Sequence, residues 1–347
     1  MVVGAGLAGL RTITEFRDRG GAGPITLIGA ETWPPYDRPP LSKKVLIEDQ
    51  AIDPSLQADF GALDVDFRPG ETATGMDAAA VRTDRGTYPF EQLVLATGAF
   101  PVALPGPGRQ RFLRSYDDAL ALRGLLRPGL RLAIVGAGWI GAELATAAAG
   151  HGVQVTVTEA GPAPLAGAVG APVGAQTAHW YAEAGVELRT GVAVESVQPG
   201  ALALADGGWL AADEIVTAVG VRPATGWLDG SGVRLQNGVA VDAGLRPACP
   251  AFTRWGTAPR SNRAGSGGGC ASSTGTWRCT HPRWSRPICW AATRRTIRCR
   301  TSGPSSSAAW FSTRAITATP SGWSGAATRP SRSGPRAGCR PGGSWPS

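Results

Sequence analysis

Two glycine-rich segments contain the residue types that bind the pyrophosphate of a dinucleotide. Both have the spacing G-x-G-x-x-G. The glycines are Gly4, Gly6 and Gly9 in the first segment and Gly136, Gly138 and Gly141 in the second. In this spacing the first glycine makes a tight turn, the second lets the backbone approach a pyrophosphate, and the third lets a helix pack closely on a strand. An acidic residue follows each segment, Glu31 and Glu159, where a carboxylate would accept hydrogen bonds from a ribose.

The apolar pattern around each glycine segment predicts the elements that position it. Strands are expected at residues 1–3 and 25–28 around the first segment, and at residues 131–135 and 153–158 around the second. Apolar residues at helical spacing lie between the strands of each pair. This repeat predicts an α/β fold with two doubly wound, Rossmann-like dinucleotide-binding domains. Because the first strand has only three residues, the natural chain is expected to start a few codons earlier.

A proline-rich loop follows the first unit and reads P-Y-D-R-P-P-L-S-K over residues 35–43. Its prolines favour an extended loop. Arg38 and Lys43 place two cations near the phosphate-binding edge, where they suit an electron-rich ligand. Taken alone, the same residues also fit an ordinary solvated loop.

The charge of the chain is divided between two parts of different composition. Residues 247–347 hold 15 of the 34 Lys and Arg residues and none of the 26 Asp and Glu residues. Residues 1–246 therefore carry 19 basic and 26 acidic residues, a net charge of −7 against +8 for the whole chain. All six Cys and seven of the 12 Trp also lie beyond residue 246. The overall basicity therefore gives no reason to expect nucleic acid or a membrane as a partner of residues 1–246.

The sequence shows no targeting segment. No stretch reaches the roughly 18 consecutive apolar residues of a membrane span. The first glycine segment occupies the positions where a secretory signal would have its basic region. These observations predict a cytoplasmic protein, and no metal site is expected.

Four motifs together resemble the ferredoxin-reductase branch of the flavoprotein pyridine-nucleotide reductases, which includes putidaredoxin reductase and rubredoxin reductase. They are the loop at residues 35–43, A-T-G at residues 96–98, G-x-G-x-x-G-x-E from residue 136, and G-V-R-P at residues 220–223. The resemblance covers essentially all of residues 1–246. It implies that the first unit binds FAD and the second binds NADH. It also implies that electrons pass to a [2Fe–2S] ferredoxin, or to a rubredoxin, which would serve an oxygenase or a cytochrome P450.

The resemblance also implies roles for individual residues. Lys43 is expected beside the flavin ring and paired with Glu143, and these two are the predicted catalytic residues. Besides the six glycines, the implied cofactor-binding residues are Glu31, Arg38, Lys43, Ala73, Thr97, Gly98, Arg114, Ile140, Glu159 and Gly220. A buried Lys43–Glu143 pair would cost desolvation, so its presence would point to tuning of the flavin. Trp139 is expected in the core, with a position beside the nicotinamide as the alternative.

Two further features bear on the choice between NADH and NADPH and on whether a redox cysteine takes part. Glu159 would repel a 2′-phosphate, and residues 160–163 contain no Arg or Lys to bind one, so NADH is expected rather than NADPH. Dithiol relatives need a redox cysteine near the position of Ser42. The first cysteine here is Cys249, which excludes a thiol relay in residues 1–246.

The family pattern stops at Arg246. The family continues with a strand that ends in Gly-Asp, whose Asp holds the FAD ribityl chain, and residues 247–258 contain no such pattern. Back-translated in a shifted frame, they can read T-S-V-P-G-V-H-A-V-G-D-C-A. In the same frame, residues 295–314 can read Y-D-P-V-P-Y-F-W-S-E-Q-F-G-R-M-V-Q-Y-A, which resembles the family's C-terminal interface domain. A single-base frameshift near Arg246, in the gene or in its sequencing, is inferred. The alternative is a natural basic tail that binds nucleic acid.

These inferences predict a discontinuous FAD-binding domain. Its first part is residues 1–105, followed by an NAD-binding domain at 106–230 and a return to the FAD-binding domain at 231–246. Residues 247–347 are expected to be an out-of-frame, disordered tail that replaces the interface domain. The first sheet would then have an open edge, whereas residues 106–230 could fold alone.

Three functions fit the sequence. The first is an NADH-dependent ferredoxin reductase with FAD. The second is a rubredoxin reductase or another NADH-dependent flavoprotein of the same fold. The third, of another class, is an inactive dinucleotide-binding remnant, because the ribityl-binding Asp is missing from the chain as written.

Overall fold

The described part of the chain coincides with the part that carries the motifs. The computed structural model describes residues 1–242 and 244–247 in full, and residues 269–270 and 277–278 by their backbone alone. Apart from these short pieces, the predicted disordered tail lies outside the described residues. Within the described residues, no helix is long and apolar enough to cross a bilayer.

The helices and strands of the described residues are short, with two to 12 residues each. The helices are α1 (Leu7–Asp18), α2 (Lys44–Ile47), α3 (Tyr116–Arg123), α4 (Trp139–Gly150), α5 (Ala166–Val169), α6 (Ala171–Ala175) and α7 (Ala178–Glu183). Two 3₁₀ turns span Pro39–Ser42 and Gly226–Leu228. The strands are β1 (Val2–Val3), β2 (Ile25–Gly29), β3 (Val65–Pro69), β4 (Ala73–Met76), β5 (Ala80–Thr83), β6 (Thr87–Pro89), β7 (Val94–Leu95), β8 (Ala99–Pro101), β9 (Arg131–Val135), β10 (Gln154–Glu159), β11 (Glu187–Thr190), β12 (Val194–Gln198), β13 (Ala201–Leu204), β14 (Trp209–Ala211), β15 (Glu214–Thr217), β16 (Val221–Pro223), β17 (Ala240–Val241), β18 (Gly269–Cys270) and β19 (Trp277–Arg278).

The first glycine segment follows the C-terminal end of β1, a strand of a parallel sheet. Its strand order is β19-β7-β1-β2-β3, and β7, β1, β2 and β3 are parallel. Val2 pairs with Leu27 on one side and Val94 on the other, so the two-residue β1 lies in the middle of the sheet. The expectation that this sheet has an open edge is wrong at β7, because β19 pairs antiparallel with β7 over two residues.

The second glycine segment lies at the end of another parallel sheet, with the order β11-β10-β9-β15. Two antiparallel three-stranded sheets accompany the parallel ones, β4-β5-β6 and β12-β13-β14. The antiparallel pair β8 and β16 joins the chain before and after the second unit. The predicted α/β fold with two doubly wound units is confirmed for residues 1–246.

One hydrophobic core includes residues from both predicted domains. Leu41, Val45 and Leu46, which lie in and just after the proline-rich loop, belong to the same buried cluster as Leu122 of α3 and Leu144 of α4. All five side chains are at most 3% exposed. Residues 106–230 therefore lack part of their own core when they are separated from the loop. This argues against the expectation that they fold alone.

Polar contacts strengthen the same connection. The Arg123 guanidinium donates to the carbonyl oxygens of Val45 and Asp49, at 2.9 and 2.5 Å. His151, at the end of α4, places its Nε2 2.7 Å from the carbonyl oxygen of Leu46. Carbonyl groups in and just after the short helix α2 are thus bonded to the side chain of Arg123 in α3 and that of His151, the residue after α4.

We predict that a fragment of residues 33–230 is more stable than a fragment of residues 106–230. The longer one retains Leu41, Val45 and Leu46, and burial of each such side chain stabilises by about 1.5–3 kcal/mol. Urea unfolding followed by circular dichroism should show a cooperative transition for the longer fragment, at a clearly higher midpoint. Equal midpoints would mean that the loop adds nothing to this core.

Candidate dinucleotide-binding sites

The first glycine segment leaves open space at the N-terminus of α1. Gly4 has φ +111°, a conformation that favours glycine. A Cβ on Gly9 would overlap the carbonyl oxygen of Gly4. Around Gly6, which precedes α1, nothing lies within 4 Å of the position that a Cβ would take. The open backbone at a helix N-terminus suits a pyrophosphate group.

The second segment repeats this arrangement at α4. A Cβ on Gly141 would overlap the carbonyl oxygen of Gly136, and Gly136 has φ +102°. Gly138, which precedes α4, again has nothing within 4 Å of its Cβ position. In both copies the third glycine is required by packing and the second leaves an accessible helix end. The residues present therefore fit two dinucleotides.

Glu31 is held by two donors from the proline-rich loop. The Tyr36 hydroxyl donates to Glu31 Oε2 at 2.5 Å, and Arg38 Nη2 donates to Oε1 at 2.9 Å. The Tyr36 oxygen also accepts from the backbone N–H of Tyr116 at 3.0 Å. Burial of Tyr36, and then its bond to Glu31, raises the pKa of this phenol, so it remains a donor at neutral pH. Sequence reasoning missed Tyr36, although it lies within the most specific motif.

Two guanidinium groups lie beside this carboxylate. Arg38 Nη1 donates to the carbonyl oxygen of Arg114 at 2.6 Å, and Arg114 Nε donates to that of Ala99 at 3.2 Å. Burial, and then the charge of Arg38, lowers the pKa of Arg114. The positive charge concentrated there favours an anionic ligand.

The remaining predicted cofactor-binding residues of the first unit are Thr97, Gly98 and Ala73. The Thr97 hydroxyl donates to the carbonyl oxygen of Ala224 at 2.9 Å. Gly98 has φ +69°, and its Cβ position lies 3.7 Å from Arg114 Nη2. Ala73 begins β4 and packs against the buried cluster that contains Val3 and Ile28.

In the second unit, Glu159 is bonded to the glycine turn. Its Oε2 accepts from the backbone N–H of Ala137 and its Oε1 from that of Gly161, both at 2.8 Å. This places the carboxylate next to the open end of α4. Gly220 has φ +117°, and its carbonyl oxygen accepts from Val102 at 3.0 Å.

The first turn of α4 exposes two large apolar side chains. Trp139 is 57% exposed and Ile140 is 41% exposed. The expectation that Trp139 is a core residue is wrong, because as the first residue of α4 it lies at the accessible helix end rather than on the packed face. The alternative, a position beside a bound nicotinamide, stays a prediction.

Lys43 and Glu143 meet across the two units. Lys43 Nζ lies 2.7 Å from Glu143 Oε2, with side-chain exposures of 50% and 28%. The pair is not buried, so the desolvation argument made from the sequence does not apply, and a pair this exposed stabilises by about 0–1 kcal/mol. The Ser42 hydroxyl donates to the same oxygen at 2.5 Å and is itself only 2% exposed. Sequence reasoning named Ser42 only as the place of an absent cysteine.

Comparisons with known proteins identify the family. Residues 1–251 match the family model described as pyridine nucleotide-disulphide oxidoreductase. The chain belongs to this family. This confirms the resemblance inferred from the motifs.

Similar proteins include ferredoxin reductases of dioxygenase systems. The ferredoxin–NAD(+) reductase component of anthranilate 1,2-dioxygenase from Burkholderia cepacia is 36% identical over 262 residues, which is 72% of this chain and 64% of the relative. The p-cumate 2,3-dioxygenase counterpart from Pseudomonas putida is 34% identical over 77% of this chain and 69% of that protein.

Two solved structures have similar folds. Fdr9 is 48% identical with a TM-score of 0.69, over 72% of this chain and 63% of that one. Putidaredoxin reductase, in its covalent complex with putidaredoxin, is 29% identical with a TM-score of 0.67, over 72% and 65%. The chain thus matches roughly two thirds of the length of these relatives.

We predict that Tyr36→Phe destabilises the 347-residue chain by about 1–3 kcal/mol, because it leaves the Tyr116 N–H buried without its acceptor. Tyr181→Phe is the matched control. Tyr181 is also buried, but its hydroxyl has no hydrogen-bond partner among the described residues. Denaturant unfolding compares the two variants, and equal effects of both would contradict the role of this hydroxyl.

Because the pKa of Tyr36 is raised above its usual value, its hydroxyl stays protonated at neutral and mildly alkaline pH. The loss in free energy of unfolding should therefore be constant from about pH 6 to pH 9.

Proposed function

We propose that residues 1–246 bind FAD in the first unit and NADH in the second. In the intact enzyme, electrons would pass from NADH through FAD to a [2Fe–2S] ferredoxin that serves an oxygenase or a cytochrome P450. The observation that carries the proposal is the single loop, residues 35–43, that contacts an acidic residue of each glycine-segment unit. A loop of this kind brings two dinucleotide sites together.

Support for FAD in the first unit comes from the open end of α1 and the charges beside it. Gly4, Gly6 and Gly9 would hold the pyrophosphate, with Arg38 and Arg114 supplying positive charge. Glu31 would accept hydrogen bonds from the ribose while Tyr36 and Arg38 keep its carboxylate in place.

Support for NADH in the second unit comes from Glu159. Its carboxylate lies at the glycine turn of α4. There it would accept a hydrogen bond from a ribose 2′-hydroxyl and would repel a 2′-phosphate. Gly136, Gly138 and Gly141 would hold the pyrophosphate. Ile140 and Gly220 would line the nucleotide, and Trp139 offers an exposed apolar surface to the nicotinamide.

The bound FAD would supply the redox chemistry, accepting a hydride from NADH and releasing electrons one at a time. The protein's own residues bind and orient. Lys43 places an ammonium group at the junction of the two units, and Glu143 holds that group by an ion pair at 2.7 Å. The helix ends at Gly6 and Gly138 would direct the two pyrophosphates.

The relatives' names favour a ferredoxin as the acceptor. A rubredoxin reductase, or another NADH-dependent flavoprotein, is the alternative within the same chemistry. We also propose a cytoplasmic location, in line with the ferredoxin–NAD(+) reductases to which the chain is similar.

The chain as written would be a frameshifted copy of this enzyme. The family match ends at residue 251, close to the inferred frameshift near Arg246. An inactive remnant is therefore the alternative of another class for the literal chain. Sequencing the gene around that codon decides between a frameshift and a natural tail.

We predict that the protein expressed from a gene with its frame restored near Arg246 is yellow and is reduced faster by NADH than by NADPH. Glu159→Gln should reduce the preference for NADH, because the charge that repels the 2′-phosphate is lost. Glu187→Gln, at an exposed carboxylate of β11, is the control. Stopped-flow absorbance of the flavin measures both rates, and a colourless protein or a preference for NADPH would contradict the proposal.

We predict that Lys43→Ala in the restored protein lowers the rate of flavin reduction by NADH at least tenfold, with a small change in thermal stability. The side chain is half exposed and adds little to folding, but it lies at the junction of the two sites. Lys44→Ala removes the neighbouring exposed lysine and should leave the rate unchanged. An unchanged single-turnover rate of flavin reduction in Lys43→Ala would contradict this role and would mean that residues 35–43 form an ordinary solvated loop.

We predict that the 347-residue chain binds FAD far more weakly than the restored protein, because its sequence lacks the Gly-Asp strand that holds the ribityl chain. Equilibrium titration with FAD, followed by flavin fluorescence, compares the two proteins. Stoichiometric, tightly bound FAD in the unrepaired chain would show the frameshift inference to be wrong.

A further inference from the structure

Ser42 makes a hydrogen bond that joins the two units at the predicted catalytic pair. Its hydroxyl donates to Glu143 Oε2 at 2.5 Å, across 101 positions of sequence. Ser42 lies at the end of the 3₁₀ turn Pro39–Ser42, whose two prolines restrict the backbone. The side chain is 2% exposed, so its position is set by packing.

Two donors reach the same oxygen of Glu143, but they differ in rigidity. Lys43 Nζ contacts Oε2 at 2.7 Å from a long side chain that is half exposed. A lysine ammonium on four rotatable carbons can follow its partner through many rotamers. The buried Ser42 hydroxyl is on a short side chain and cannot. The direction of the Glu143 carboxylate is therefore determined by Ser42 rather than by Lys43.

Glu143 in turn belongs to the helix that begins at the second glycine segment. It lies in the second turn of α4, which Gly138 precedes. The far end of α4 is connected to α2, which follows the loop, because His151 Nε2 lies 2.7 Å from the carbonyl oxygen of Leu46. Ser42 thus adds a contact near the end of α4 that would face the nucleotide.

We propose that Ser42 is a positioning residue. Its hydroxyl fixes the Glu143 carboxylate, and through the ion pair it holds the Lys43 ammonium at the point where the two cofactors would meet. This inference rests on the proposed function and deepens it, because it assigns a role at the same site to a residue beside the predicted pair.

The first test examines the bond itself in the 347-residue chain without ligand. Ser42→Ala should lower the thermal midpoint by about 4 °C, because a hydrogen bond to a charged group is lost. Ser42→Thr, which keeps a hydroxyl, should restore most of the shift. In a Glu143→Ala background, Ser42→Ala should have almost no further effect. Thr146→Ala is the control, since among the described residues its hydroxyl donates within α4, to the carbonyl oxygen of Ala142 at 3.0 Å.

The second test examines positioning in the frame-restored protein with FAD. Ser42→Ala should lower the single-turnover rate of flavin reduction by about tenfold. The dissociation constants of FAD and NADH should stay within about twofold, because the glycine segments and Glu159 bind the nucleotides. Ser42→Thr should recover the rate. In a Glu143→Ala background, Ser42→Ala should not lower the rate of flavin reduction further.

The outcomes separate the possibilities. Equal effects of Ser42→Ala with and without Glu143 would overturn the proposal, because Ser42 would then act by packing alone. A lower midpoint with an unchanged reduction rate would also overturn it. If NADH does not reduce the flavin of the unmodified restored protein at all, the proposed function fails. The thermal midpoints of the Ser42→Ala, Glu143→Ala and double variants still test the Ser42–Glu143 hydrogen bond.

Discussion

The arrangement of both sites depends on one constraint: a single loop, residues 35–43, holds two carboxylates that lie in different units of the fold. Each carboxylate receives a hydroxyl donor and a cation from this loop. Glu31, in the first unit, is bonded by the first half of the loop, and Glu143, on α4, is bonded by the second half. Because prolines restrict the backbone between these halves, the distance between the two carboxylates is set by the loop. A change in its conformation would disturb both dinucleotide sites together.

Packing explains why such a loop can be rigid. Its apolar residues, Leu41 among them, lie in a core shared with α3 and α4 rather than on the surface. Side chains of those helices bond the carbonyl groups of α2, which follows the loop. An ordinary solvated loop would have neither the buried side chains nor the bonded carbonyl groups. The predicted division of residues 1–246 into an FAD-binding part and an NAD-binding part is therefore not a division of the hydrophobic core.

Much of the fold could be predicted because its signals are local. The glycine spacing predicts the turns at Gly4 and Gly136, and the apolar runs predict the parallel strands that precede them. The contacts that hold the site together could not be predicted in this way. Tyr36 and Ser42 have long-range partners, and no periodicity shows which buried hydroxyl lies near which acid. The sequence predicts a core position for Trp139, because a large aromatic residue is usually buried, but its position at the start of α4 exposes it.

The most direct measurement is a crystal structure of the frame-restored protein with FAD and NAD⁺ bound. Glu31 should accept hydrogen bonds from the FAD ribose while it keeps its bonds to Tyr36 and Arg38, and Lys43 and Glu143 should lie beside the flavin, still in contact. Each pyrophosphate should lie at the helix end that follows one glycine segment. A structure in which Glu31 points away from the nucleotide, or in which the Lys43–Glu143 pair lies far from the flavin, would contradict the account.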